Sequence, residues 1–436
     1  MRKSICGLCA CLAAAMALLL SPSDVFCAET LPARYDLRDL GKAPSVKDQG
    51  AHPTCWSLVA VSALESALLP GEDIALSADH MTLRNGFSID PDDGGDYRMI
   101  MAYLSSWTGP VLLSDDPYGD GVSPEGLSAA LHVQEIRMLP EQDEAVVRQM
   151  ILEHGAMQTS LYMDHDSVLP EAGCYNAEHA AYYCAEKKKN DHDVLVIGWD
   201  DDFPKEYFAD PPSRDGAYIC QNSWGEDFGE DGVFYVSYED ANICGRGLVF
   251  PDVDAQMRYD GIYQADTCGW QGQQGYGDEG CFFANVYTAR RDERLAAAGF
   301  YATGPDTSYE LFLVHDFEEP GDFESKERIG SGVLKEAGYY TVPIEDAPLL
   351  REGERFALVC FIGTPGAKNP AAVEFKKDRF TQDVTLDGRE GYLSFAGTVW
   401  ENTEEKYETN VCLKAYTQKV TDPSAEEEEP GSEEEK

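Results

Sequence analysis

The chain has 436 residues, with 34 Lys+Arg against 79 Asp+Glu and a formal net charge of −45. That balance argues against nucleic acid as a partner, because a polyanion is held by neutralising its phosphates and this surface repels them. A hydrophobic fraction of 43 % argues against global disorder, and the length suits two or three domains of about 100–200 residues each.

Arg2 and Lys3 precede an apolar run, Ile5 to Leu20, followed by a polar stretch and the small-residue end Val25-Phe26-Cys27-Ala28. This order reads as a secretory signal peptide over residues 1–28, too short for a span of about 20 apolar residues, with an uncleaved anchor as the alternative. Asp24 disfavours a lipoprotein start at Cys27. Export, to the medium, periplasm or cell surface, is expected, with no membrane span after cleavage.

Four of the thirteen cysteines (Cys6, Cys9, Cys11, Cys27) leave with that segment. Setting Cys55 aside, the even number left permits disulfides, and pairing neighbours joins Cys174 with Cys184, Cys220 with Cys244, Cys268 with Cys281 and Cys360 with Cys412. Reduced, buried cysteines are the alternative. No Cys-x-x-Cys pair survives in the mature chain, so zinc is not expected.

From Leu31 to about residue 252 the pattern is mixed. Residues 55–68 read as a largely buried helix stopped by Pro70-Gly71, and Gln142 to His154 as an amphipathic helix ended by Gly155. Short apolar runs of strand type follow at 157–162, 194–197, 217–220 and 233–236. Over 258–418 short strands alternate with Gly, Pro and Asp turns, at 298–302, 309–314, 338–342, 356–361 and 411–416, which indicates an all-β sandwich. Residues 419–436 read as a solvated acidic tail.

Three islands carry chemistry: Gln49-Gly50-Ala51-His52-Pro53-Thr54-Cys55-Trp56, Asp191-His192-Asp193-Val194, and Gln221-Asn222-Ser223-Trp224-Gly225. A cysteine in the first turn of a helix is pushed toward thiolate by free N–H groups and the positive helix end. His192 can hold the proton and deliver it to a leaving amine. The Asn222 carboxamide can accept the other ring N–H, with Trp224 shielding that bond from water. Gln49 can donate to a developing oxyanion alongside the Cys55 N–H. Singly, each of these residues is more often an ordinary core, polar or turn residue.

Together, in this order and spacing, they resemble the papain family of cysteine peptidases. Leu31 to Arg38 looks like the start of such a domain, Leu76-Ser77-Ala78-Asp79 like its Leu-Ser-Glu-Gln helix start, and Gly94-Gly95 like the glycine pair that binds substrate backbone. The resemblance implies a catalytic set of Gln49, Cys55, His192 and Asn222. It also implies an α+β fold, with a helical left lobe and a β-rich right lobe around a cleft, ahead of the all-β sandwich. Gly94, Gly95, Asp193 and Trp224 are the expected substrate contacts, Asp193 suggesting a preference for Lys or Arg.

His52 replaces the family's structural cysteine, so one family disulfide is missing. No pro-segment separates the leader from Leu31, so latency by an N-terminal prodomain is not expected. The arrangement over 31–418 resembles bacterial papain-like peptidases with a C-terminal lectin-like β domain, on Gly338 to Thr341, Gly391 to Phe395 and Asn410 to Ala415. Trp270 and Trp400 could stack on a sugar, or could be core. The acidic runs at 90–96, 115–120 and 200–202 lack a calcium-loop frame and read as solvated loops, as do Lys187 to Lys189.

The expected function is peptide hydrolysis by a monomer, with a protein or peptide substrate, no cofactor, no metal and no nucleic acid. The β domain is a candidate contact for carbohydrate or a cell-surface component. A transpeptidase or peptide ligase on the same fold, and a catalytically idle surface-binding protein, are the alternatives.

Overall fold

The computed structural model describes residues 31–139, 142–163, 173–377, 379–386 and 388–420. The leader with its four cysteines and the acidic tail from 421 onward lie outside the described residues.

Helix α1, Cys55–Leu68, is buried on nearly every side, which suits its breaker-free run of Leu, Val, Ala and Ser. A partly buried ion pair, Lys47 Nζ to Glu65 Oε2 at 2.7 Å, ties it to the strand-like segment before it. Helix α2, Ala78–Leu83, is capped by the Ser77 side chain, which accepts from the His80 N–H. Helix α3, Tyr97–Ser105, starts at Asp96, whose carboxylate accepts from the Arg98 N–H. Helix α4, Glu144–His154, begins two residues later than the pattern predicts, because Asp143 takes the capping position and accepts from Ala145 and Val146. The acidic run at 90–96 thus supplies a helix cap. In the run at 115–120, Asp116 is fully buried rather than solvated and accepts from Ser123 Oγ.

The strands over the first half form one side of a long sheet, in the order His132–Leu139, Gly247–Asp254, Met157–Leu161, His192–Asp200, Ala217–Gln221, Val233–Ser237. Antiparallel register sets Leu161 opposite His192 and Leu195 opposite Gln221. The site loops at the ends of these strands therefore converge.

The sheet does not stop at the end of the first half. His132–Leu139 also pairs with Ala337–Pro343 of the second half, which continues through Glu293–Ala302 and Leu413–Lys419. A six-stranded sheet centred on Gly280–Thr288 and Arg355–Gly363 packs over that extension and completes the expected sandwich around Phe283, Phe300, Leu311, Leu358 and Leu413. Side chains weld the junction. Ser105 Oγ lies 2.9 Å from Tyr301 Oη, Gln264 Nε2 donates to the Ser106 carbonyl at 3.0 Å, and Trp107 packs on Tyr416 with ring centroids 5.2 Å apart.

All nine cysteines among the described residues are free, so none of the neighbour pairings is formed. The sheet explains part of this: Cys360 sits next to Phe283 across its ladder and feels Cys281, while Cys412 lies near Asp266 and Lys414. Burial keeps these thiols protonated. Trp400, half-buried, stacks on Phe323 against a core cluster; Trp270 tilts against Tyr301 at the junction. Among the described residues no helix is long and apolar enough to cross a membrane, and no group of three or more His, Cys, Asp or Glu could hold a metal ion.

At Gly338 the two halves approach closely, opposite Arg137 in the ladder. The glycine φ is +152°, and a Cβ there would lie 2.0 Å from the Ile136 carbonyl oxygen across the ladder. Backbone cannot yield as a flexible side chain does. Gly338→Ala is expected to lower the free energy of unfolding by about 3 kcal/mol, read as a shift of the urea midpoint followed by tryptophan fluorescence.

Candidate active site

The cleft is built by main-chain pairing between two distant segments. The Gln49 N–H donates to the Ser223 carbonyl at 2.8 Å, the Gly225 N–H donates to the Lys47 carbonyl at 3.1 Å, and Asp48 bridges to Trp224. This brings Gln49, at the entry to α1, against the Asn222-Ser223-Trp224 turn at the exit of Ala217–Gln221. Cys55 is the first residue of α1 and His192 the first of its strand.

A cavity of about 690 Å³ is lined by Gln49, Cys55, Gly94, Gly95, His192, Asp193 and Trp224. The structure thus gathers every predicted site residue except Asn222 onto one surface. Asn222 lies behind, buried, and accepts from His192 Nε2 at 2.7 Å through its side-chain oxygen. The same oxygen accepts from the Ser223 N–H at 2.8 Å, which fixes the carboxamide. With Nε2 engaged, Nδ1 is the ring nitrogen that can exchange a proton. Trp224 covers the imidazole at 4.8 Å between ring centroids, so the expected shielding geometry is present.

The Gln49 side chain is held at both ends. Its oxygen accepts from Ser223 Oγ at 2.7 Å and from Trp224 Nε1 at 3.2 Å, and its nitrogen donates to the His52 carbonyl at 2.8 Å. The amide orientation follows from those donors, and the second N–H remains for a ligand. His52 itself is exposed on its loop, as expected.

Gly95 lies over the face of Trp56, where a Cβ would come within 2.3 Å of the indole. Any side chain at this position would displace the backbone edge from the cleft. Gly94, with φ +78°, precedes it on the same rim.

The electrostatics of Cys55 correct the expectation drawn from helix position. Burial, then the Asp193 carboxylate, push the thiol up to about 12, against the N–H groups of Asp193 and Trp56, which pull it down. The helix end alone does not ionise it; the proton must be accepted by a neighbour. Asp193 is buried, and burial pushes its carboxyl up to about 6 although Ser160 Oγ and Gln158 Nε2 donate to it at 2.5 and 2.8 Å.

Further residues that the motifs do not mark also line the cavity, among them Ile89, Asp93, Asp96, Met99, Ser160, Lys189, Asn190 and Phe380. Lys189 belongs to the run expected to face solvent. Ser160 lies in a strand that was legible, but its place depends on pairing with Asp193. Phe380 is an aromatic in a charged loop of the second half, and no local signal points it at Cys55.

Comparison with known proteins agrees with this geometry. Residues 31–248 match the family model described as papain family cysteine protease, and residues 262–417 the model described as lectin like domain. Cathepsin L of Sarcophaga peregrina is 24 % identical over 229 residues, 50 % of this chain and 62 % of that protein. Cysteine proteinase 1 of Zea mays is 29 % identical over 247 residues, 52 % of this chain and 62 % of its own length. The chain thus spans about three-fifths of the length of these curated relatives. A clostridial cysteine protease, Cwp84 after propeptide cleavage, has the same fold over 88 % of this chain and 99 % of its own, with a TM-score of 0.78 at 24 % identity. A second structure, of the protease and lectin-like domains of Cwp84, described as a surface layer associated protein of Clostridium difficile, matches over 89 % of this chain and 88 % of its own, with a TM-score of 0.76 at 24 % identity. With half of its length matched by the family model and the cleft residues in place, the chain belongs to the papain family of cysteine proteases, with a lectin-like β domain following.

Proposed function

We propose that the chain is an exported cysteine endopeptidase in which Cys55 is the nucleophile, His192 the general acid and base, Asn222 the group that orients His192, and Gln49 an oxyanion donor. The observation that carries this reading is the His192 to Asn222 hydrogen bond behind a cavity that Cys55 and Gln49 also line. The burial that raises the thiol makes proton transfer to His192 Nδ1 the route to thiolate, and the imidazolium then offsets the charge beside it.

In this scheme the Cys55 sulfur attacks the scissile carbonyl carbon, forming a C–S bond and placing negative charge on oxygen. The free Gln49 N–H and the Cys55 N–H stabilise that charge. The intermediate collapses with cleavage of the C–N bond, and His192 gives its proton to the departing amine. Water then attacks the thioester while His192 takes its proton; the carboxylic acid leaves and sulfur is released. Polypeptide is the substrate. Export is supported by the leader-like sequence at 1–28 and by the surface-layer description of the structural neighbour. For the β domain we retain a carbohydrate or cell-surface ligand as its partner class. A cavity of about 940 Å³ lined by Gln273, Gln274, Asp383, Glu404 and Tyr407 supplies the amides, carboxylates and ring that such a ligand uses.

An epoxide thiol trap is expected to label the purified protein at one residue, and Cys55→Ala to abolish both labelling and peptide cleavage. Labelling that persists in Cys55→Ala, or a native protein inert to both assays, would sink the reading.

Asp193 yields a pH prediction. Below about pH 6 its carboxyl is protonated and opposes nothing; above it, the carboxylate disfavours the thiolate. Asp193→Asn is expected to react with iodoacetamide at the native rate at pH 5, and about fivefold faster at pH 7.5. A native preference for Lys or Arg near the scissile bond should weaken in the same variant, read on a peptide library.

A further inference from the structure

One wall of the cleft is contributed by the β domain. Phe380 sits between the strands Ala371–Phe375 and Gly391–Ser394, far from the catalytic half in sequence, yet it lines the cavity that holds Cys55 and His192. Its loop has internal structure: the Thr381 hydroxyl accepts from the Lys377 N–H and donates to the Phe375 carbonyl, each at 2.8 Å, and Thr381 is buried.

Three contacts hold this loop against the rim that ends in Gly94-Gly95. The Ser88 N–H donates to the Phe380 carbonyl at 2.9 Å, and Ser88 Oγ donates to Asp383 Oδ2 at 2.6 Å. Arg379 Nη1 meets Asp93 Oδ2 at 2.7 Å. The first two involve main chain or a short side chain and set position closely; the ion pair is exposed and adds less. The ring is half-buried, has the Arg379 guanidinium 5.6 Å from its centroid, and lines the cleft as does half-buried Ile89. The facing wall carries Lys189, Asp191 and Asp193. The Gly94-Gly95 rim also carries Asp93 and Asp96, so Phe380 and Ile89 form an apolar patch within a largely charged cleft.

We propose that Phe380 is a specificity-determining residue: with Ile89 it forms an apolar subsite for a bulky side chain of the polypeptide substrate close to the scissile bond. This rests on the peptidase reading above and adds that the β domain takes part in choosing the substrate. The physical reason is area, since an aromatic ring or branched aliphatic chain seated on Phe380 loses water-exposed apolar surface that a small residue does not have.

The test uses the full-length protein, Phe380→Ala and Phe380→Leu, profiled on a peptide library varied at each position around a fixed cleavage site. In the native protein, kcat/KM should favour bulky apolar side chains at one position on the Gly94-Gly95 flank. Phe380→Ala should lose about tenfold of that preference at that position alone, while Phe380→Leu keeps most of it and shifts the optimum from aromatic toward aliphatic. In a Cys55→Ala background, the preferred peptide, labelled with a fluorophore, should bind about tenfold more weakly when Phe380→Ala is added, a readout that needs no turnover. An unchanged profile in both folded variants overturns the proposal, as does an equal loss on every peptide, which marks a structural role. Should Phe380→Ala fail to fold, Phe380→Leu decides, since its optimum either shifts or does not. A native protein that cleaves peptides with no apolar preference overturns this inference alone; one that cleaves nothing overturns the peptidase reading with it.

Discussion

The hydrogen bond from His192 to Asn222 is the constraint on which the site depends. It fixes the tautomer: with Nε2 committed at 2.7 Å, only Nδ1 can exchange a proton with a reactant. It is also expensive to arrange, because both groups are buried and each must be matched. The antiparallel ladder between His192–Asp200 and Ala217–Gln221 does most of that work, delivering Asn222 one residue beyond its last pair. The Asn222-Ser223-Trp224 turn then serves three neighbours at once. Asn222 receives the imidazole, Ser223 and Trp224 orient the Gln49 amide, and the Trp224 ring covers His192.

The same burial sets the chemistry of the cysteine. A thiol in water ionises by losing its proton to solvent; Cys55, desolvated and beside a carboxyl, has to lose it to a partner of known position. Charge separation inside the cleft is favoured only where the imidazolium stands next to the sulfur it has deprotonated. Asp193 works in the opposite direction, and its own raised ionisation limits how much charge it imposes near pH 6.

The sequence was informative where function is carried by local words. Gln49, Cys55, His192 and Asn222 stand in fixed short contexts, and the strands of the second half follow from alternation and turn residues, so both could be read without a structure. Phe380 and Ser160 could not, because each reaches the cleft through long-range register or a loop docked from another layer, and nothing adjacent to them in sequence records that. The expected cysteine pairs divide for a related reason: Cys174 lies against Cys184 and Cys220 near Cys244, whereas Cys360 meets the surroundings of Cys281 rather than those of Cys412. The thiolate expectation counted the helix end and His192 as proton partner; the burial that raises the thiol had no signal in the sequence.

Two family models, one on each half, suggest a protease with an accessory module attached by a linker. The hydrogen bonding argues for closer integration. His132–Leu139 is shared, pairing on one side with Gly247–Asp254 of the catalytic half and on the other with Ala337–Pro343 of the sandwich. A central strand cannot change partners without losing a ladder on one flank, so the halves are held in one geometry by the same backbone bonds that form their cores. A loop of the sandwich can then meet the substrate cleft at a defined place, and Phe380 beside Gly94-Gly95 is the outcome. A hinged module would have to order such a contact anew at each binding event, at the entropic cost of fixing the linker. The shared strand removes that cost, and Phe380 of the β domain lines the cleft without any hinge to order.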